Sequence, residues 1–130
     1  MSSHLTEGMV KTIEMDEKVS LGKQLQQDVG AVVLMITFTV NPEDEDQFIK
    51  TWASAANISK KTSGVISAQL HRGIAGSRVF MSYHVFESTE AIMQQYNNPE
   101  FPTKLSEYPP STVTSSHVFK KIAVPGICVD

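Results

Sequence analysis

The chain of 130 residues has a single cysteine, Cys128, so no internal disulfide framework can brace it, and a reducing compartment, the cytoplasm, is the expected setting. No apolar run reaches the roughly 18 residues that cross a bilayer. The first residues carry Glu7, Glu14, Asp16 and Glu17 and lack the apolar stretch of a secretory signal. Basic residues number 11 against 14 acidic ones, for a net charge of −3 and a pI near 5.8. Lys60-Lys61 and Lys120-Lys121 are only pairs, so nothing offsets an acidic balance that argues against a nucleic-acid partner. Tandem repeats, low-complexity tracts, a phosphate-cradling glycine loop and a dinucleotide fingerprint are all missing. His4, His71, His84 and His117 have no spacing with Cys, Asp or Glu that suggests a metal site, so no metal is expected.

What remains is one domain with a regular pattern. Residues 31–40, AVVLMITFTV, are β-branched and apolar and predict a buried strand. Asn41 as N-cap, Pro42, and then Glu43, Asp44, Glu45 and Asp46 at the positive end of the dipole predict a helix. Its apolar stripe is Phe48, Ile49, Trp52, Ala55 and Ala56, which places Trp52 in the core, and Gly64 is the expected stop. Ser88 caps a second helix through Ala91, Ile92, Met93 and Tyr96. A short extra helical stretch follows between Pro99 and Tyr108, then a last strand over about 112–124. Strand, helix, strand, strand, helix, strand is the ferredoxin-like, split βαβ order of the α+β class, with four antiparallel strands and both helices on one face.

Residues 64–88 are the most informative. Two alternating runs joined by Gly-Ile-Ala-Gly predict a β-hairpin with one apolar and one mixed face. The mixed face is assigned Ser67, Gln69 and His71 from the first strand, and Phe80, Ser82, His84 and Phe86 from the second. Hydroxyls, an amide, imidazoles and rings together are the usual lining of a ligand chamber. His71 is the expected base, because an imidazole titrates near neutrality; Gln69, Phe80, Ser82, His84 and Phe86 are the expected substrate contacts. With even closure His84 pairs near Ser67 and lies roughly 13 Å from His71, too far for a shared metal. An odd-length turn would turn one strand over. Tyr83 is assigned to the helix-facing side, and Tyr96 and Tyr108 to the pocket mouth.

The helices cover one sheet face. The other is expected to carry Val33, Met35, Thr37, Thr39, Phe80 and Phe86, too apolar for water, and a homodimer is the expected remedy. Residues 1–30 are polar, with Val19, Leu21 and Leu25 as anchors, and read as an N-terminal arm held by a partner subunit. Residues 31–126 form the domain. Residues 127–130 are a tail in which Ile127, Cys128 and Val129 serve as apolar anchors.

Over Val32–Val124 the chain resembles the antibiotic biosynthesis monooxygenase family, a branch of the dimeric α+β barrel proteins. The segments that carry the resemblance are SGVISAQLHRG (63–73), VFESTEA (85–91), NPEF (98–101) and SSHVFKKIAVPG (115–126). The resemblance implies a dimer that oxidises fused-ring aromatic polyketides, anthrones to quinones, with dioxygen and without haem, flavin or metal. By position, the family's hairpin histidine falls on His71, its third-strand asparagine on Ser82, its tryptophan on Phe86 and its second-helix tyrosine on Ile92. The helical histidine of haem-degrading relatives has no counterpart between Ser88 and Asn98. The function so implied is a cofactor-independent monooxygenase for a small acidic aromatic or quinoid molecule. The alternative is a non-catalytic dimeric barrel that binds a small hydrophobic metabolite, and an isomerase or decarboxylase using the same base is a third.

Overall fold

A computed structural model describes residues 10–128. Along the chain run β1 (Lys11–Thr12), α1 (Leu21–Gln24), β2 (Val32–Thr39), α2 (Glu45–Lys61), β3 (Val65–Arg72), β4 (Val79–Phe86), α3 (Thr89–Tyr96), α4 (Phe101–Ser106) and β5 (Val113–Phe119). The sheet order is β1-β5-β2-β4-β3. This is the ferredoxin-like α+β fold, with one strand more than the four expected. The extra strand, β1, is two residues long and pairs parallel to β5; the other pairings are antiparallel. None of the described helices is long and apolar enough to cross a membrane.

The local signals act where they stand, with one adjustment. Asn41 does not cap α2 with its side chain. Pro42–Asp44 form a single 3-10 turn, closed by the Asp44 N–H on the Asn41 carbonyl at 2.9 Å, and α2 begins one residue later. Asn41 Oδ1 instead accepts from Arg78 across the hairpin end. Phe48, Thr51, Ala55, Ile58 and Ser59 are the buried residues of α2, the 3-4 spacing that lays one stripe on the sheet. Gly64 then takes φ +90°, and a Cβ there would come within 2.6 Å of the Ala91 Cβ, so glycine is required by both backbone and space. Ser88 accepts from the Ala91 N–H at 3.1 Å and starts α3 as the sequence predicts.

Register decides which side chains meet the helices. Val32, Leu34, Ile36 and Phe38 of β2 stand opposite Phe86, His84, Ser82 and Phe80 of β4, and this face is covered. One cluster joins Val32, Leu34 and Phe86 to Leu25, Ala91 and Ile92. A second stacks Phe48 against Phe38 and Phe80, with ring centroids 4.8 and 4.7 Å away, and includes Tyr108. The uncovered face carries Val33, Met35, Thr37 and Thr39 beside Val85, Tyr83, Met81 and Val79. Phe80 and Phe86 therefore do not belong to the bare face, and Tyr83 does, at 38% exposed.

The hairpin closes oddly. His84 pairs with Ala68, Gln69 with Tyr83 and His71 with Met81. The loop is closed by the Gly73 N–H on the Val79 carbonyl at 2.8 Å, with Ala75 and Gly76 both at positive φ. A shift of one residue from even closure sends the β3 side chains from Ser67 to Arg72 to the other face. At the far end Ile66 is passed over in the pairing between Val65 and Ser67, a bulge that leaves it exposed.

Residues 10–29 lie along the chain's own sheet. The Lys11 and Ile13 N–H groups donate to the Thr112 and Thr114 carbonyls, Leu25 enters the core, and Lys120 Nζ donates to the Val29 carbonyl. Leu21 is half-buried, whereas Val19 stays 39% exposed. The last strand stops at Phe119. Beyond it Ile127 is 84% exposed and Cys128 is exposed too, so neither anchors the tail. Residues 1–9 of the expected arm, His4 among them, and Val129 of the tail lie outside the described residues.

Candidate active site

Between the covered face of the sheet and α2, α3 and α4 is a cavity of about 210 Å³. Its sheet side is formed by Ile36, Phe38, His84, Thr114 and Ser116. Trp52, Ala55, Ala56 and Ser59 come from α2, Gln95 and Tyr96 from α3, and Phe101 and Leu105 from α4; Tyr108, Thr12 and Leu21 complete the wall. The lining is mainly apolar, with a few polar groups converging on it, the make-up of a small-molecule site.

His84 is the central group. Alternation along β4 puts Ser82, His84 and Phe86 on the covered face. His84 is 5% exposed, and its Nε2 lies 2.8 Å from the Oγ of fully buried Ser82. Its Nδ1 is buried without a partner. The Trp52 and Phe86 rings flank it at centroid distances of 6.2 and 6.3 Å. Burial lowers its pKa from 6.5 to about 4, so the imidazole is neutral throughout the physiological range. When Nε2–H donates to Ser82, Nδ1 presents a bare lone pair; in the other tautomer Nδ1–H is a free donor. Either way, one ring nitrogen is left for a ligand.

A second polar pair faces the same cavity. Ser59 Oγ donates to Gln95 Oε1 at 2.7 Å, both residues buried. With that oxygen occupied, the amide NH₂ is what Gln95 can offer a bound molecule. Burial pushes Tyr96 up to about 12 and, with Tyr96 as its neighbour, Tyr108 higher still, so both remain neutral phenols. Among the described residues no three His, Cys, Asp or Glu side chains gather closely enough to hold a metal ion.

The residues expected from sequence are divided between two surfaces. His84 lines the cavity and Ser82 supports it. Phe80 and Phe86 are buried on the same face but belong to the two core clusters, and Arg72 lies over the Phe80 ring at 4.9 Å while pairing with Glu45. His71 and Gln69 are exposed on the opposite face and do not line this cavity. Ile92, at the family's tyrosine position, is fully buried and brings no hydroxyl. Trp52, expected in the core, is half-buried and walls the cavity. Ser59 and Gln95 were not singled out by sequence. Their signal was a polar residue in each helix's apolar stripe: Ser59 four after Ala55, Gln95 four after Ala91.

The sequence pattern of the antibiotic biosynthesis monooxygenase family matches residues 31–103, the segment that supplies β2, α2, the hairpin and α3. The chain belongs to this family. Solved structures share its fold at low identity. SnoaB, a cofactor-independent oxygenase from Streptomyces nogalater, is 15% identical, with a TM-score of 0.68 over 75% of this chain and 99% of its own. A conserved protein from Methanosarcina mazei is 17% identical, with a TM-score of 0.63 over 72% of this chain and 94% of its own. Rv0793 from Mycobacterium tuberculosis is 12% identical, with a TM-score of 0.62 over 74% and 99%. No curated protein matches the chain.

Proposed function

We propose that this family member is a cofactor-independent monooxygenase acting on a small acidic aromatic or quinoid molecule, with His84 as the base. The observation that supports this most is the unpartnered Nδ1 of a neutral, buried imidazole on an apolar cavity. In such a site the substrate does the redox chemistry, and the protein supplies a base, a donor and dryness. For a ring CH₂ conjugated with a carbonyl, as in anthrone or the keto tautomer of 1-naphthol, His84 Nδ1 takes one proton and leaves an enolate. The enolate donates electrons to dioxygen, and a C–O bond forms as a hydroperoxide. Loss of water, taking the second ring hydrogen and breaking O–O, leaves the new carbonyl. One oxygen atom enters the product and the other leaves as water, so CH₂ and O₂ give C=O and H₂O. The imidazolium formed is expensive in this dry site on its own, but it is created beside the enolate as an ion pair. In this reading the Gln95 NH₂ donates to the enolate oxygen, and Trp52 and Tyr96, which also line the cavity, contact the ring.

The test is oxygen uptake with anthrone and with 1-naphthol, comparing wild type with His84→Gln and His71→Gln. General-base loss costs roughly 10²–10⁴-fold. Uptake should fall by that range in His84→Gln and stay near wild type in His71→Gln. Equal loss in both, or loss only in His71→Gln, overturns the assignment.

The apolar lining also favours a second reading, a carrier for a hydrophobic metabolite. Tight, stoichiometric binding of either compound with oxygen uptake no faster than in buffer would establish it. We further infer that the uncovered face, with Val33, Met35 and Tyr83 on adjoining strands, docks a second copy of the chain.

A further inference from the structure

We propose that residues 10–29 form an added wall of the cavity, and that Leu21 in this wall sets the size of ligand the site accepts. This rests on the reading of the cavity as an aromatic site. The family match begins at residue 31, and SnoaB is covered over 99% of its length by 75% of this chain, so about a quarter of the chain has no counterpart there. Residues ahead of the family match are built into the site: Thr12 and Leu21 both line the cavity.

The segment is fastened at both sides of those residues. On either side of Thr12, the Lys11 and Ile13 N–H groups donate to the Thr112 and Thr114 carbonyls at 3.1 and 2.8 Å. After Leu21, Gln24 serves as a side-chain continuation of β1. Its Oε1 accepts from the Val118 N–H at 2.7 Å, and its Nε2 reaches His117 Nδ1 and the Val19 carbonyl at 3.2 and 3.0 Å. Between the clips, Glu14 Oε1 accepts from the Leu21 N–H at 3.0 Å and Ser20 caps α1. Leu25, one turn beyond Leu21, is buried among Val32, Leu34, Phe86 and Ile92, and Thr89 Oγ1 donates to the Gln27 carbonyl at 2.7 Å. Leu21 is thus an apolar side chain on a tethered backbone, at the β5 side of a site otherwise lined by the sheet, by α2, α3 and α4, and by Tyr108.

Size follows from volume. An apolar cavity of about 150 Å³ takes up benzene, so 210 Å³ admits one or two fused rings and leaves little for a third. A three-ring molecule would need the space that Leu21 fills.

The experiment is anaerobic titration of the full chain with 1-naphthol and with anthrone, for wild type, Leu21→Ala and Leu21→Trp. A single methylene in an apolar pocket is worth roughly 10–200-fold. Leu21→Ala should tighten anthrone by at least ~10-fold and change 1-naphthol by much less, while Leu21→Trp should weaken 1-naphthol by at least ~10-fold. The second variant fills the space rather than emptying it, so the pair is informative even if the alanine variant loosens α1. Binding of both ligands with a size order unmoved by residue 21 overturns the wall and leaves the aromatic site standing. Failure of both ligands to bind the wild-type protein overturns the aromatic reading and the wall with it.

Discussion

Ser82 and His84, two residues apart on β4, share a 2.8 Å hydrogen bond beneath the cavity and are both nearly inaccessible to solvent. A strand brings i and i+2 to one face, so the pair is local in sequence. It is buried because β4 lies between β2 and β3 and the helices cover this face of the sheet, while Tyr83, between them on the other face, is exposed. Removing the serine hydroxyl leaves His84 without a protein partner on either ring nitrogen. Ser82→Ala should cost about 1–3 kcal/mol in urea unfolding, the cost of orphaning a buried polar group. It should also weaken oxygen uptake, since the contact that orients the His84 ring toward the cavity is lost. Unchanged stability would mean that the bond is not formed in solution.

The depressed pKa of His84 makes stability depend on pH in a defined window. In the unfolded chain the imidazole takes a proton near 6.5, and in the folded protein only near 4. Between these values the unfolded state binds more protons, so stability falls as pH drops, and above 6.5 this group contributes no slope. At about 1.4 kcal/mol per pKa unit, the whole loss is about 3 kcal/mol by pH 4. Melting curves of wild type and His84→Gln should converge as the pH is lowered from 7 to 4, because the variant lacks this term while keeping all others. The acidic limb of the pH profile of kcat/KM should lie near 4 as well, and a limb near 6.5 would point to an exposed histidine as the base.

Gln24 does the work of a strand at the β5 edge, and its removal frees the Val118 N–H to water. Gln24→Ala should cost about 1 kcal/mol in denaturant unfolding. Hydrogen exchange should be accelerated at Val118, while the Gly73 amide, in the hairpin at the other side of the sheet, should keep its rate. Equal acceleration at both would mean global destabilisation rather than an unclipped edge.

Tyr83 stands in the middle of the uncovered face, opposite Met35 on one side and Gln69 on the other. If a second copy docks there, Tyr83→Lys puts two like charges against an apolar surface. The mass by light scattering should then drop from that of two chains to that of one, 14.3 kDa. A wild-type protein already running at the single-chain mass would refute the docking.

The residues fixed much of this molecule locally, and the reason is that the signals involved are short-ranged. A run such as AVVLMITFTV has nowhere to go but a covered strand. Pro42 with four acidic residues behind it starts a helix and the 3-4 stripe orients it; the helix ends at Lys61 with Thr62 extended, and Gly64, at φ +90°, then turns the chain into β3 rather than stopping the helix itself. The alternation on both sides of residues 73–78 shows a hairpin, and the order of the elements gives the fold class. Tertiary structure decided the rest. Whether His71 joins Ser82 and His84 on their face depends on a single residue of register, set by how the Gly73 N–H meets the Val79 carbonyl, and alternation within either strand is blind to it. The weakly patterned residues 10–29 gain their role from Gln24 reaching an N–H 94 residues away, a partner no local pattern can name. Ser59 and Gln95 become a site only when α2 and α3 are laid side by side over the same sheet.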